Sequence, residues 1–201
     1  MIAEIRADGM HISGYVNVPG RMSRPVNTPR GKVIEVIEPG AFARAIAKTI
    51  AKTKKIDMLL DHDENRTLAN TSNNSMILKE DSIGLHVDSV VTDPEVIKGA
   101  KEGRLKGWSF KMRNVVDSVE ERAGQLPIRT IKDFTMPEVT LAMNKVPVYS
   151  ATSIECRAED DDGEETEFRA ADAEIEVVVE KNFDNSEFRA RAEALEIKED
   201  N

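Results

Sequence analysis

Apolar and polar residues alternate with a period of two over several short stretches of this chain, and each such stretch predicts a half-buried strand. HISGYVNV (11–18), KVIEVIE (32–38), SMILKE (75–80) and GLHVDSVV (84–91) are of this kind. The last two are separated by a DSIG-type turn and read as a hairpin. KIDMLLDH (55–62) is more continuously apolar and predicts a buried strand, with Met58, Leu60 and His62 on one face. In GWSFKMRNVV (107–116), Trp108, Phe110 and Met112 fall on one face and Ser109, Lys111 and Arg113 on the other. IRTIKDFTMPEVTLAM (128–143) continues the strand pattern, broken at Pro137, and SATSIECR (150–157) closes it. The period changes twice. PGAFARAIAKTIAKT (39–53) repeats Phe42, Ile46 and Ile50 every four residues behind Pro39, which predicts a helix. TDPEVIKGAKEGR (92–104) predicts a shorter one, with Asp93 as N-cap and Pro94 at its first position. A Pro/Arg/Asn-rich loop spans 19–31 and is long for a compact domain, which points to a mobile or functional segment. Seven or eight short strands with two helices predict an α+β domain built on a barrel or a folded sheet.

Charge divides the chain in two. Residues 1–157 hold 23 basic and 20 acidic side chains, whereas residues 158–201 hold 5 and 17. A near-neutral body (1–157) is therefore followed by an acidic tail (158–201), and the balance gives little support to nucleic-acid binding. AEDDDGEETE (158–167) predicts a solvated, largely disordered start to that tail. Further on, AEIEVVVE (173–180) has strand character and SEFRARAEALEIKED (186–200) has helical spacing. The single cysteine, Cys156, permits no internal disulfide and fits a reducing compartment. No run of 18 apolar residues predicts a membrane span, and the N-terminus lacks the apolar core of a signal peptide.

Three histidines limit the chemistry: His11, His62 and His86. His11 and His86 sit within strand patterns and read as structural. His62, in LLDHDEN, has three readings: a strand-end histidine satisfied by local hydrogen bonds, a metal ligand beside Asp63, or a general base. The metal reading lacks a second histidine or cysteine at ligand spacing. Ser109 alone is weak evidence, since most strand serines do no chemistry. A serine needs a neighbouring base, and that base needs an orienting group. His62 is available as the base and Glu138 as the orienting acid, a carboxylate inside an apolar segment that needs a partner there. Lys111 is a competing base, two residues along the same strand face as Ser109.

Six stretches together resemble the phage prohead (capsid maturation) serine proteases of tailed bacteriophages. GYVNV is similar to that family's opening strand, and VIEPGAFARAI to its acidic-Pro-Gly-Ala-Phe helix start. MLLDHDENRTLANT resembles its His-Asp segment, and LKEDSIGLHVDSVV its Asp-x-x-Gly-Leu hairpin. GRLKGWSFKM resembles its Gly-x-Ser-Phe strand, and FTMPEVTLAMNKVPVYSATSIECR its Glu-Val-Ser/Thr-Leu segment. The order is the family's own, over roughly residues 10–157. Two departures stand out: Lys111-Met112 replaces the Gly-Phe that often follows Ser-Phe, and LAMNKVPVYSA lacks a common Pro-Ala pair.

The resemblance implies a fold like the herpesvirus assembly proteases, a β-barrel-like core of about seven strands wrapped by helices. It implies a serine endopeptidase with Ser109 as nucleophile, His62 as general base and Glu138 as the third member. Oxyanion donors are not marked; backbone amides near Arg113 are candidates. Neither cofactor nor metal is implied. The implied substrates are scaffold protein and the scaffolding portion of the major capsid protein, cut inside the assembling prohead in the bacterial host's cytoplasm. Self-cleavage and self-association are expected, and nucleic acid and membrane are not expected partners. The tail is then a removable or scaffold-interacting segment. The rival of another class is a catalytically idle assembly module of the same fold.

Overall fold

The computed structural model describes residues 1–28, 31–143, 157–159, 165–172 and 175–180, the side chains of 157–159, 165 and 170–172 excepted. Two mixed sheets enclose one core. The first has the order β14-β1-β2-β8-β7, from β1 (Ile2–Arg6), β2 (Gly9–Asn17), β7 (Met76–Glu80), β8 (Leu85–Val91) and β14 (Glu176–Val179). The second runs β3-β4-β10-β9-β11-β5-β6, from β3 (Pro25–Thr28), β4 (Gly31–Ile37), β5 (Asp57–Leu60), β6 (Asp63–Asn70), β9 (Gly107–Glu120), β10 (Ile128–Thr135) and β11 (Glu138–Ala142). Two tail strands extend it: β13 (Glu165–Asp172) pairs with β9, and β12 (Arg157–Glu159) pairs with β13.

The α+β class agrees with the sequence pattern, but two expectations change. Among the described residues neither sheet closes into a barrel: each ends on unpaired edges, the first at β14 and β7. The tail is not wholly a solvated appendage. Its β14 lies parallel to β1, and β13 buries Thr166 and Glu167 against the body. Sequence pattern hides this because β13 is polar and earns its place through ion pairs rather than apolar burial. The predicted strand at 150–157 and the helical stretch at 186–200 lie outside the described residues, Arg157 excepted.

Strand β9 organises the second sheet. Its 14 residues take β11 and then β10 along one edge, and β13 along the other. Met136 and Pro137 separate β10 from β11, as expected of a proline that cannot donate to the ladder. Trp108, Phe110 and Met112 are buried in the core, so the predicted apolar face is correct. Phe110 meets Phe42 edge-on at 5.2 Å, and Phe42 meets Phe134 at 5.4 Å.

Helix α1 (Ala41–Thr53) presents Phe42, Ala45 and Thr49 inward; Ile50, expected on that face, is exposed. Its N-cap is Gly40 in the left-handed region (φ 85°), which supplies no capping side chain. Glu80 of β7 replaces it, accepting from the backbone N–H groups of Gly40 (2.7 Å) and Ala43 (2.8 Å). Helix α2 (Pro94–Lys101) begins as predicted, with the Asp93 side chain accepting from the N–H groups of Glu95 and Val96. Among the described residues no helix is long and apolar enough to cross a membrane.

Candidate active site

Three local features bring Ser109, His62 and Glu138 together. The first is a two-residue hairpin. Strand β5 stops at Leu60, which pairs with Asp63 at the start of β6, leaving Asp61 and His62 as the turn. Both have positive φ, 50° and 60°, the sign pattern of a type I′ turn. Asp and His tolerate that region better than most residues with a Cβ. His62 is therefore not on the Met58–Leu60 strand face, as the alternation suggested; the turn re-aims it. Asp61 pins the turn to β11: its N–H donates to the Leu141 carbonyl (3.1 Å) and its carboxylate accepts from the Met143 N–H (2.8 Å).

The second feature is register. Thr140 of β11 lies directly across from Ser109 of β9, and Glu138, two residues earlier, shares that face. The third is the parallel pairing of β11 with β5, Leu141 against Leu60, which carries the end of β5 and its turn over the same face.

His62 Nε2 stands 2.8 Å from Ser109 Oγ, and His62 Nδ1 stands 2.5 Å from Glu138 Oε1. Glu138 is 4% exposed and its second oxygen accepts from Thr140 Oγ1 at 3.2 Å. Thr140, fully buried, also lies 3.2 Å from His62 Nδ1. A buried carboxylate needs partners, and these are the ones it has. The ring of Phe168, from β13, packs edge-on against His62 at 4.6 Å. With Nδ1–H donated to Glu138, Nε2 is the acceptor for the serine hydroxyl; this is the arrangement a general base requires.

The competing groups are placed elsewhere. Lys111 is buried, with Nζ 3.2 Å from Glu64 Oε1 and 5.5 Å from the Phe168 ring centre. The Asp63 carboxylate accepts from the Asn65 N–H at 2.9 Å. Among the described residues no three metal-binding side chains gather. Arg113 is four residues from Ser109 along β9, about 13 Å at strand rise, too far for its amide to serve as an oxyanion donor. His11 meets Asp8 at 2.9 Å, and His86 packs against Tyr15.

Two participants escaped the sequence reading. Thr140 shares Glu138's strand face by period two, but nothing in the sequence marks its hydroxyl as a partner. The tail strand β13 also reaches the site, where the Arg169 carbonyl oxygen stands 2.9 Å from Ser109 Oγ and competes with His62 Nε2 for its one hydroxyl proton.

No curated protein and no solved structure matches the chain. The model of one protein family, described as caudovirus prohead serine protease, matches residues 1–168. With that match covering most of its length and all the residues just described up to Phe168, the chain belongs to the caudovirus prohead serine proteases.

Proposed function

We propose that this chain is the endopeptidase of prohead maturation, with Ser109 as nucleophile, His62 as general base and Glu138 as the acid that orients His62. The observation that carries this reading is the position of the His62 ring, hydrogen-bonded through Nε2 to Ser109 and through Nδ1 to Glu138. Ser109 Oγ attacks a peptide carbonyl carbon while its proton passes to His62 Nε2. Glu138 holds the tautomer that leaves Nε2 free to accept, and it stabilises the imidazolium. His62 then protonates the departing amine, and water releases the acyl group by the same route. The 27% exposure of the His62 side chain leaves it open to solvent from one side.

The substrates are scaffold protein and the scaffolding segment of the major capsid protein, reached inside the assembling prohead in the host cytoplasm. The enzyme also cuts itself. Co-expression with the capsid protein tests this. Wild-type enzyme is expected to yield a shortened capsid band, and Ser109→Ala is expected to leave it full length. A shortened band that persists with Ser109→Ala rejects the proposal.

A further inference from the structure

Strand β13 lies on the nucleophile strand as a peptide substrate lies on a sheet edge. It pairs antiparallel with β9, setting Ala170 opposite Ser109, Arg169 opposite Phe110, Phe168 opposite Lys111 and Glu167 opposite Met112. The residues before Ala170 thus run along the part of β9 that follows the nucleophile. In strand addition of this kind, main-chain bonds supply affinity and alternate side chains supply selectivity.

The side chains of β13 enter a built receptor. Glu167, 2% exposed, accepts two hydrogen bonds from Arg129, each at 2.7 Å. Arg169 donates to both oxygens of Glu35, at 2.5 and 2.7 Å. Glu35 and Arg129 are 4% and 5% exposed and bonded to each other at 2.7 Å, and Asp117 bonds Arg129 Nε at 2.5 Å. Burial opposes the charge on Arg129, but Glu167, Glu35 and Asp117 outweigh it and hold its pKa above the ordinary arginine value. Charges buried this deeply need matched partners, so the body selects an acid and, two residues on, a base. Phe168, between them, faces His62 and Lys111 instead.

The sequence repeats the seated segment. Thr166-Glu167-Phe168-Arg169-Ala170 recurs as Ser186-Glu187-Phe188-Arg189-Ala190, and Glu-Phe-Arg-Ala occurs in the chain at these two places. An acidic tail has no packing reason to repeat this order. Recognition of both copies by one cleft supplies a reason.

We propose that the cleft beside β9 reads Glu-Phe-Arg-Ala as an added strand, that β13 is the enzyme's own substrate seated in cis, and that the bonds cut are Arg169–Ala170 and Arg189–Ala190. The proposal rests on the proteolytic reading of Ser109 and names its sequence preference. Ser109 Oγ bonds to the Arg169 carbonyl carbon and its proton goes to His62 Nε2. The bond to the Ala170 nitrogen breaks, and His62 returns the proton to that nitrogen. Water then hydrolyses the ester, leaving the Arg169 carboxylate and a free Ser109.

The test incubates the full-length chain, wild type against Ser109→Ala, and identifies fragments by intact mass and N-terminal sequencing. Fragments beginning at Ala170 and Ala190 are expected from wild type alone, and Arg189→Ala removes only the second. A synthetic peptide of residues 183–193 is expected to be cut after Arg189. Replacing its Glu187 with Gln is expected to lower kcat/KM by at least about 10-fold, the scale of a lost charged hydrogen bond. The peptide arm is independent of how any variant folds. Ser109-dependent cleavage of capsid protein with both tail bonds and the peptide left intact overturns this proposal and spares the proteolytic reading. Equal cutting of the Glu and Gln peptides overturns the side-chain selection. Absence of Ser109-dependent cleavage of any protein overturns both.

Discussion

Among the described residues two clusters contain a serine, a histidine and a carboxylate, and their difference shows what residue types alone do not specify. At the candidate active site His62 stands between its partners, one ring nitrogen on Ser109 and the other on Glu138. On the first sheet, Ser13 of β2 lies opposite Asp88 of β8 and donates straight to its carboxylate at 2.7 Å. His86 is left beside that pair: its Nε2 is 3.4 Å from Ser13 Oγ, and its Nδ1 is 3.2 Å from Asp88 without hydrogen-bonding geometry. The Ser13 proton goes to the carboxylate, so the longer His86 Nε2 contact does not accept it. Exposure differs as well. The Asp88 side chain is 47% exposed and the Glu138 side chain 5%. A buried carboxylate acts on an imidazole through a low local dielectric, and an exposed one is screened.

The sharpest break of this comparison is paired serine substitution. Ser109→Ala is expected to lower proteolytic kcat/KM by about 10⁴-fold or more, as loss of a nucleophile does. Ser13→Ala is expected to leave it within about twofold, since surface changes away from the chemistry act weakly. A comparable loss at Ser13, with the fold intact by circular dichroism, would reverse the assignment of the two clusters. The histidines follow: His62→Ala is expected to match Ser109→Ala, and His86→Ala to resemble Ser13→Ala. Lys111→Ala extends the test to the rival base. Because Lys111 Nζ is committed to Glu64, its loss is expected to leave most of the cleavage rate, whereas a serine–lysine mechanism requires the opposite ranking.

The acids come next in size. Glu138→Gln keeps the shape but allows the side-chain amide to donate toward His62 Nδ1, which favours the wrong tautomer. A fall in kcat of about 10²–10⁴-fold is expected, measured against Asp88→Asn, for which no change is expected. Equal, small effects of the two substitutions would mean that burial of Glu138 serves packing rather than proton transfer.

Much of this site was legible in the sequence because strand alternation is a local property. Period two places Ser109 opposite in facing to Trp108 and Phe110, and it places Glu138 in an apolar segment with Thr140 on its own face. The helix beginning at Asp93-Pro94 was legible for the same reason: its cap is made by adjacent residues. What period two could not show is how His62 is aimed. That depends on positive φ at Asp61 and His62, which turns the ring away from the face that strand counting assigns it. Long-range pairing was hidden too. The binding of Glu167 and Arg169 involves Glu35 and Arg129, separated from them by many elements, and a charge-rich tail looks solvated when read alone. Strand β1 was missed because five residues with a partly exposed pattern give little periodic signal. Strand count allowed a barrel or a folded sheet and the family likeness implied the barrel, and the edges at β14 and β7 do not follow it.

The smallest expected effect isolates the residue that the second cluster lacks. Thr140 donates to the oxygen of Glu138 that His62 does not use, which fixes the carboxylate's rotation and presents Oε1 to Nδ1. Asp88 instead has one oxygen bonded to Ser13 and the other 3.2 Å from His86 Nδ1. Thr140→Val preserves the β-branched shape in a fully buried position and removes only the hydroxyl. The loss of one neutral hydrogen bond, about 1 kcal/mol, predicts a fall in kcat/KM of roughly 5- to 10-fold. Thr140→Ser, which restores the donor, is expected to recover most of the rate despite the missing methyl group. If the valine variant cleaves as fast as wild type while the serine variant is impaired, Thr140 matters for packing alone, and three residues rather than four set the His62 geometry.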